Sequence, residues 1–269
     1  MSLALLLVQL KILLYTILTV KNWEITVFYR LTWWFKPKHI ILRNGVQLKT
    51  RDHLTNDLSI ITELWKFEPY TDQIFFSIKE ADIVFDVWWH MGNFALYASL
   101  RATQWHVHVF EPTQENYQLL DYNIRHNHAK NVTINNCAIG DKNASIQFIE
   151  SKNDKASHSK FWEIAHWETR TITVDQITLW SYIDKNHIKR INFLKLDCEW
   201  AEYEILYTLP SEYLKKIEKI SMEIHDNIPG HTREQMIEFL ENTWFVVDIK
   251  EVYIGIYNIF AINKNFSYT

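Results

Sequence analysis

The chain has 269 residues, 48% hydrophobic and 22% charged, a balance that fits one folded domain with a modest extension and excludes collagen-like, disordered and low-complexity readings. With 28 Lys+Arg against 32 Asp+Glu the formal charge is −4, so the basic field of a general nucleic-acid binder is missing and a small or neutral substrate is expected. Two cysteines, Cys137 and Cys198, are too few for a disulfide framework and lack CxxC spacing for zinc, which points to a reducing, cytoplasmic setting.

The first predicted element is LALLLVQLKILLYTILTV, Leu3 to Val20. It lies at the lower limit of membrane-spanning length, with no basic segment before it and no small-x-small cleavage site after it. Gln9, Thr16 and Thr19 fall on one side of a helix, so a packed amphipathic helix is expected. Basic Lys21, Arg30, Lys36 and Lys38 downstream keep contact with the inner face of a membrane as the alternative. HIILRNGVQLKTR then reads as two short strands around Asn44-Gly45, a hairpin signal. A helix is predicted from about Thr55 to Lys66.

From there, apolar runs and helical patterns alternate. Strands are predicted at Ile83–Val87, His106–Phe110, Val132–Cys137, Asn192–Leu196, Ile217–Ile224, Phe245–Ile249 and Tyr253–Ala261. Helices are predicted near Gly92–Arg101, Gln114–His126, Ala201–Leu209 and Thr232–Glu241. Strands separated by helices give a mainly parallel sheet, but only Lys250, Glu251 and Val252 separate the last two runs, which must pair antiparallel. The fold class is therefore α/β: a seven-stranded Rossmann-like sheet, mainly parallel, with a C-terminal antiparallel hairpin. Residues 1–80 form an N-terminal extension of helix, β-hairpin and helix, and 81–269 the main domain.

The ends of the parallel strands are where such a sheet binds ligands. After the first core strand the chain reads VFDVWWHMGNF, Val84 to Phe94, a loop that must turn tightly against a cofactor and calls for glycine. Gly92 is present, while Trp88 and Trp89 stand where side chains of almost no size are wanted. Glu111 follows Gly92 by 19 positions, the spacing of an acidic residue that accepts hydrogen bonds from a ribose. In LKLDCEW, Lys195, Asp197 and Glu199 alternate with apolar residues and share one face of a strand, as do Glu223 and His225 in SMEIHD. Charged groups on a central strand need a partner or a ligand, so a Lys195–Asp197 or Lys195–Glu199 ion pair is the structural expectation and a catalytic cluster the functional one.

Taken in order, DVWWHMGNF, FEPTQEN, NCAIGD, TVDQI, NFLKLDCEWAEYEIL and SMEIHD resemble the motifs of the FkbM family of methyltransferases over about residues 40 to 262. The resemblance implies a class I methyltransferase fold, S-adenosylmethionine as cofactor, and O-methylation of a hydroxyl on a sugar or other small metabolite. Under it Asp86, Trp88 (as Gly), His90 and Gly92 surround the methionine part of the cofactor, Asn93 of the same cofactor site begins the following helix, and Glu111 holds the ribose. Asn136, Cys137 and Ala138, ending the third strand, meet the adenine. Asp197, Glu199, Glu223 and His225 form the catalytic cluster, with Asp197 or His225 as the base. Its oxygens and imidazole would also suit Mg²⁺, a reading that ranks below a metal-free site. Both cysteines are expected to be small packed residues rather than nucleophiles. A nicotinamide oxidoreductase fails on the missing GxGxxG and Tyr-x-x-x-Lys patterns.

Where the family has glycine this chain has Trp88 and Trp200, where it has Ala or Gly this chain has Trp89, and Trp105 and Trp244 occupy turns where glycine is common. The chain holds 5 Gly and 12 Trp, against roughly 19 glycines expected from average usage. Two readings follow. Several of these tryptophans are UGA codons that the source organism reads as glycine, or they are real and the chain is an inactive methyltransferase-fold binding protein whose cofactor loop is blocked by Trp88 and Trp89.

Overall fold

Buried strands alternating with amphipathic helices organise the chain around one sheet. The structure, a computed structural model, describes residues 3–32, 38–51, 54–71, 73–87, 91–151, 169–198, 201–225, 230–253 and 255–266. The extension comprises α1 (Leu3–Thr19), α2 (Trp23–Thr32), the hairpin β1 (Ile40–Ile41) and β2 (Gln47–Leu48), and α3 (Leu54–Phe67). Next come β3 (Val84–Val87), α4 (Asn93–Ser99), β4 (Val107–Phe110), α5 (Gln114–His126), β5 (Val132–Asn135), β6 (Ala138–Gly140), β7 (Ala144–Ser151) and β8 (Thr169–Thr178). The chain continues through α6 (Leu179–Lys185), β9 (Phe193–Leu196), α7 (Glu202–Thr208), α8 (Ser211–Leu214), β10 (Lys219–His225), α9 (Arg233–Asn242), β11 (Phe245–Tyr253) and β12 (Ile256–Asn263).

The seven-stranded sheet has the order β11-β12-β10-β9-β3-β4-β5. Its five inner and distal strands are parallel, and β12 runs antiparallel to both β10 and β11. This is the predicted class I methyltransferase architecture. Every residue of β3 and β9 is buried, as strands covered on both faces must be. Phe85, Val87, Leu194, Leu196, Ile220 and Met222 enter the core on one face with Tyr182 and Leu206. Val84, Phe193 and Phe260 enter a second core with Leu42, Leu58, Leu64 and Phe94. The extension therefore supplies the layer over the second face and shares its core with the sheet. By the period-two rule Asp86, Lys195, Asp197, Glu223 and His225 project toward this extension side.

Four expectations change. The third strand stops at Asn135 rather than Cys137, because the Asn136 side-chain amide donates to the carbonyls of Glu111 and Pro112 at 2.9 and 3.1 Å and turns the chain out of the sheet. Ala138 then opens a second, three-stranded sheet of order β6-β8-β7, which apolar periodicity did not mark. At the C-terminus the strand runs through Lys250, Glu251 and Val252 to Tyr253, with a register shift between Glu251 and Tyr253. Gly255, at φ 77°, makes the turn instead. On α1, Thr16 and Thr19 face inward while Leu10, Leu14 and Leu18 are exposed, the reverse of an ordinary amphipathic helix. No helix among the described residues is long and apolar enough to cross a membrane.

Candidate active site

Two strand ends converge on one buried charge row. Asp86 lies one residue before the end of β3, Lys195 lies on β9 beside it in register, and Asp197 follows β9 on the same side. The Lys195 ammonium lies 3.4 Å from Asp86 Oδ1 and 3.5 Å from Asp197 Oδ2. Lys195 and Asp86 are fully buried and Asp197 nearly so. A cation between two carboxylates offsets part of the cost of removing all three from water. Neither Asp86 oxygen accepts a hydrogen bond among the described residues. Burial pushes the Asp86 carboxyl up to about 6, against the pull of the Lys195 charge. Thus the expected Lys195–Asp197 pair forms, and Asp86 joins it.

Tyr70, just beyond α3, donates its hydroxyl to Asp197 Oδ2 at 2.7 Å. Its ring lies 4.7 Å below the Lys195 ammonium, and Phe94 presents a second ring at 5.5 Å. Burial and then the Asp197 charge hold the Tyr70 phenol protonated, well above its usual range. Nothing in local spacing pairs Tyr70 with Asp197.

On β10, the neighbouring strand, His225 Nε2 lies 3.5 Å from Glu223 Oε1. Its Nδ1 is buried without a hydrogen-bond partner among the described residues. Burial lowers the His225 pKa, opposed by the charge of Asp197. The imidazole is thereby kept neutral near neutral pH and able to take a proton. The structure places Asp197, Glu223 and His225, three of the four residues expected to cluster, near one another, and sets Asp86, expected at the cofactor, beside Asp197 through Lys195. Glu199 lies outside the described residues. Among those described, no group of three or more His, Cys, Asp or Glu side chains is arranged to hold a metal ion.

On the other side of Asp86, Gly92 caps α4 at φ 85°, and a Cβ there would lie 2.6 Å from Leu120 Cδ1. Only glycine meets both demands at low cost. Glu111, fully buried after β4, accepts from the Thr113 N–H at 2.8 Å and the Thr113 hydroxyl at 2.7 Å through Oε1. Cys137 is half-buried and its thiol is pushed up to about 11 by burial. The Cys198 thiol is buried and donates to the Val87 carbonyl. Neither is an activated nucleophile. Ala138 is buried in the second sheet beside Gln176. Asn93 turns its side chain to the extension: Oδ1 accepts from the Trp65 indole at 2.7 Å and Nδ2 donates to the Ile60 carbonyl at 3.2 Å. Trp88, Trp89, His90 and Trp200 lie outside the described residues.

A cleft of about 190 Å³ opens against this cluster, lined by Ile60, Glu63 and Leu64 of α3, Tyr70, Asn93 and Phe94, Glu223, and Val252, Ile256 and Asn258 of the terminal hairpin. A second cleft of about 310 Å³ shares Glu63, Pro69, Val252 and Asn258 with it. The sequence reading did not mark Glu63, Tyr70 or Asn258.

Two other tryptophans now separate. Trp244, between α9 and β11, adopts φ 75°, a left-handed conformation that costs a bulky side chain about 1–2 kcal/mol and glycine almost nothing. Trp105 is half exposed and outside the left-handed region, so its backbone makes no demand for glycine.

Residues 86–247 match the methyltransferase FkbM domain. A curated relative, Methyltransferase 1 of Beauveria bassiana, is 23% identical over 184 residues, covering 62% of this chain and 71% of its own. Among solved structures, precorrin-6y C5,15-methyltransferase from Geobacter metallireducens matches with TM-score 0.47 and 10% identity, over 80% of this chain and 94% of its own. TrmK of M. capricolum, solved with S-adenosyl-homocysteine, matches with TM-score 0.44 and 10% identity, over 72% of this chain and 67% of its own. The span of the family match takes in the strand ends that carry Asp86, Lys195, Asp197, Glu223 and His225, and the chain belongs to the FkbM methyltransferase family.

Proposed function

We propose that the chain is an S-adenosylmethionine-dependent O-methyltransferase (EC 2.1.1 type) acting on a hydroxyl of a sugar or other small metabolite. The observation that carries this reading is the buried Asp86–Lys195–Asp197 row, set beside His225 at the carboxyl ends of β3, β9 and β10, behind a cleft lined by Tyr70, Phe94 and Glu223.

The described residues suit the cofactor. Asp86 is a buried carboxylate that faces Lys195 at 3.4 Å and accepts no hydrogen bond among the described residues, a partner for the methionine ammonium. Glu111 is a buried carboxylate one strand over, a partner for ribose hydroxyls. Gly92 lets the loop turn against α5 without a side chain. When bound, S-adenosylmethionine supplies a methyl group on a sulfonium, ready for in-line displacement.

What remains for the protein is to place an acceptor oxygen and take its proton. His225 is the base in this reading, because burial keeps it neutral and its Nδ1 has no partner among the described residues. Asp197 is committed to Lys195 and Tyr70 and steadies the imidazolium as it forms. Glu223 orients the ring from Nε2.

The test is calorimetric titration with S-adenosylmethionine and S-adenosylhomocysteine, on the chain as written and on a Trp88→Gly, Trp89→Gly, Trp200→Gly chain. Micromolar binding by the glycine chain, lost in its Asp86→Asn variant, is expected. Absence of binding by both chains would reject the methyltransferase reading.

A further inference from the structure

A helix that rests only on its own domain turns leucines inward and threonines to water. The first two helices do the opposite. Thr16 and Thr26 are fully buried and Thr19 nearly so, whereas Leu10, Leu14 and Leu18 of α1 and Ile25 and Phe28 of α2 are 47–52% exposed. The three leucines, spaced by four, form one stripe along α1. Phe67, exposed at the end of α3, meets Tyr15 of α1 edge-on with ring centroids 4.7 Å apart, and carries the apolar surface from α1 toward α3. Apolar side chains gathered in this way mark an interaction site, where single exposed ones would not.

Charge separates the same segment from the rest of the chain. Residues 1–38 hold five of the 28 Lys and Arg, namely Lys11, Lys21, Arg30, Lys36 and Lys38, and one of the 32 Asp and Glu, Glu24, for a net +4. Residues 39–269 hold the other 23 and 31, for a net −8. Lys11, Lys21 and Lys38 are exposed. An apolar stripe flanked by lysines matches an anionic lipid surface, with the leucines among the acyl chains and the ammonium groups at the phosphates. Since no helix among the described residues is long and apolar enough to cross a membrane, such a contact lies in the plane of the interface. Two-fold pairing with a second copy fits less well, because it brings the lysines of both copies together. We infer that α1 and α2 dock the protein on an anionic lipid surface. Lys11 and Phe67 also line the cleft of about 310 Å³ that adjoins the active-site cleft, so docking sets the entrance of that cleft beside the headgroups. Within it Lys11 and Lys250 balance Glu63 and Glu251, and the attraction therefore rests on Lys21 and the basic residues that follow it.

The experiment is flotation of the full chain with vesicles of phosphatidylcholine alone and of phosphatidylcholine carrying phosphatidylglycerol. Binding to the anionic vesicles is expected, at least tenfold tighter than to the neutral ones, and it is expected to weaken as salt rises toward about 1 M, where screening acts within about 3 Å. Lys21→Gln with Lys38→Gln is expected to weaken binding about thirtyfold, the worth of two basic residues near such a surface. Leu10→Asn, Leu14→Asn and Leu18→Asn together are expected to weaken it about a hundredfold. These side chains already face water, so the urea midpoint is expected to stay in place, which separates lost docking from lost folding. No binding to either vesicle, equal binding to both, or binding unmoved by the two variants would each overturn the inference, as would a dimer in sedimentation that the leucine variant dissolves while vesicles capture nothing. Vesicle binding needs neither S-adenosylmethionine nor an acceptor, so it stands or falls apart from the methyl-transfer reading.

Discussion

Tyr70 and Asp197, 127 residues apart in the chain, are joined by a buried 2.7 Å hydrogen bond from phenol to carboxylate. It is the point at which the N-terminal extension takes hold of the charge row of the sheet. Since Lys195 approaches the same Asp197 oxygen at 3.5 Å, Asp197 is held from two sides, and the ring of Tyr70 forms part of the cleft.

Tyr70→Phe keeps the ring and removes the donor. A buried carboxylate oxygen deprived of a hydrogen bond costs about 1–3 kcal/mol, so urea unfolding is expected to show a loss in that range. Methyl transfer is expected to fall about tenfold in kcat with KM for S-adenosylmethionine little changed, as for a residue that positions the base's neighbour. An unchanged kcat would show that Asp197 needs no such hold.

The raised pKa of Asp86, about 6 against an ordinary 3.8, makes stability depend on pH. Between these values the folded chain keeps a proton that the unfolded chain has released. Its contribution to stability is therefore full below about 3.8 and lost as pH rises through about 6. Relative to Asp86→Asn, the unliganded chain is expected to lose stability from about pH 4 to about pH 7, measured by urea unfolding at both values. Cofactor affinity is expected to run the other way, weakening below about pH 6, because an ammonium favours the ionised carboxylate.

His225, lowered by burial and only partly restored by Asp197, sets the acid limb of the rate profile. A base works when deprotonated, so kcat is expected to fall as pH drops through a value below the ordinary histidine range. His225→Asn is expected to cost about 10²–10⁴-fold in kcat, the usual worth of a positioned base. A variant that retains the same acid limb would move the base elsewhere.

The tryptophans make a prediction at the level of the gene. Codons 88, 89, 200 and 244 are expected to be UGA, and peptides from the native protein to carry glycine at these positions by mass spectrometry. At 244 the backbone itself asks for it, with φ at 75°. Codon 65 is expected to be UGG, because the Trp65 indole donates to Asn93 Oδ1 at 2.7 Å and glycine has no donor to replace it. UGG at codons 88 and 89, with tryptophan in the peptide, would support the blocked-loop binding protein.

Residue order alone determined the sheet class, the terminal antiparallel pair, and the facts that Lys195 and Asp197 share one side and Glu223 and His225 another such row. These follow from a side-chain period of two and from connections too short for a crossover. Tertiary structure decided what lies opposite those rows. Periodicity along a strand is silent about which strand lies beside it and which segment covers its face. So Asp86 met Lys195 only through the β3–β9 register, Tyr70 reached Asp197 only because α3 packs over that face, and Asn258 reached the cleft through pairing with Glu223 across β10 and β12. Asn93 went the same way: its place at the start of α4 was legible, while its bonds to Trp65 and Ile60 needed a helix from outside the family's own span. The second sheet escaped because its strands carry mixed polar residues, so pairing rather than apolar pattern defines them.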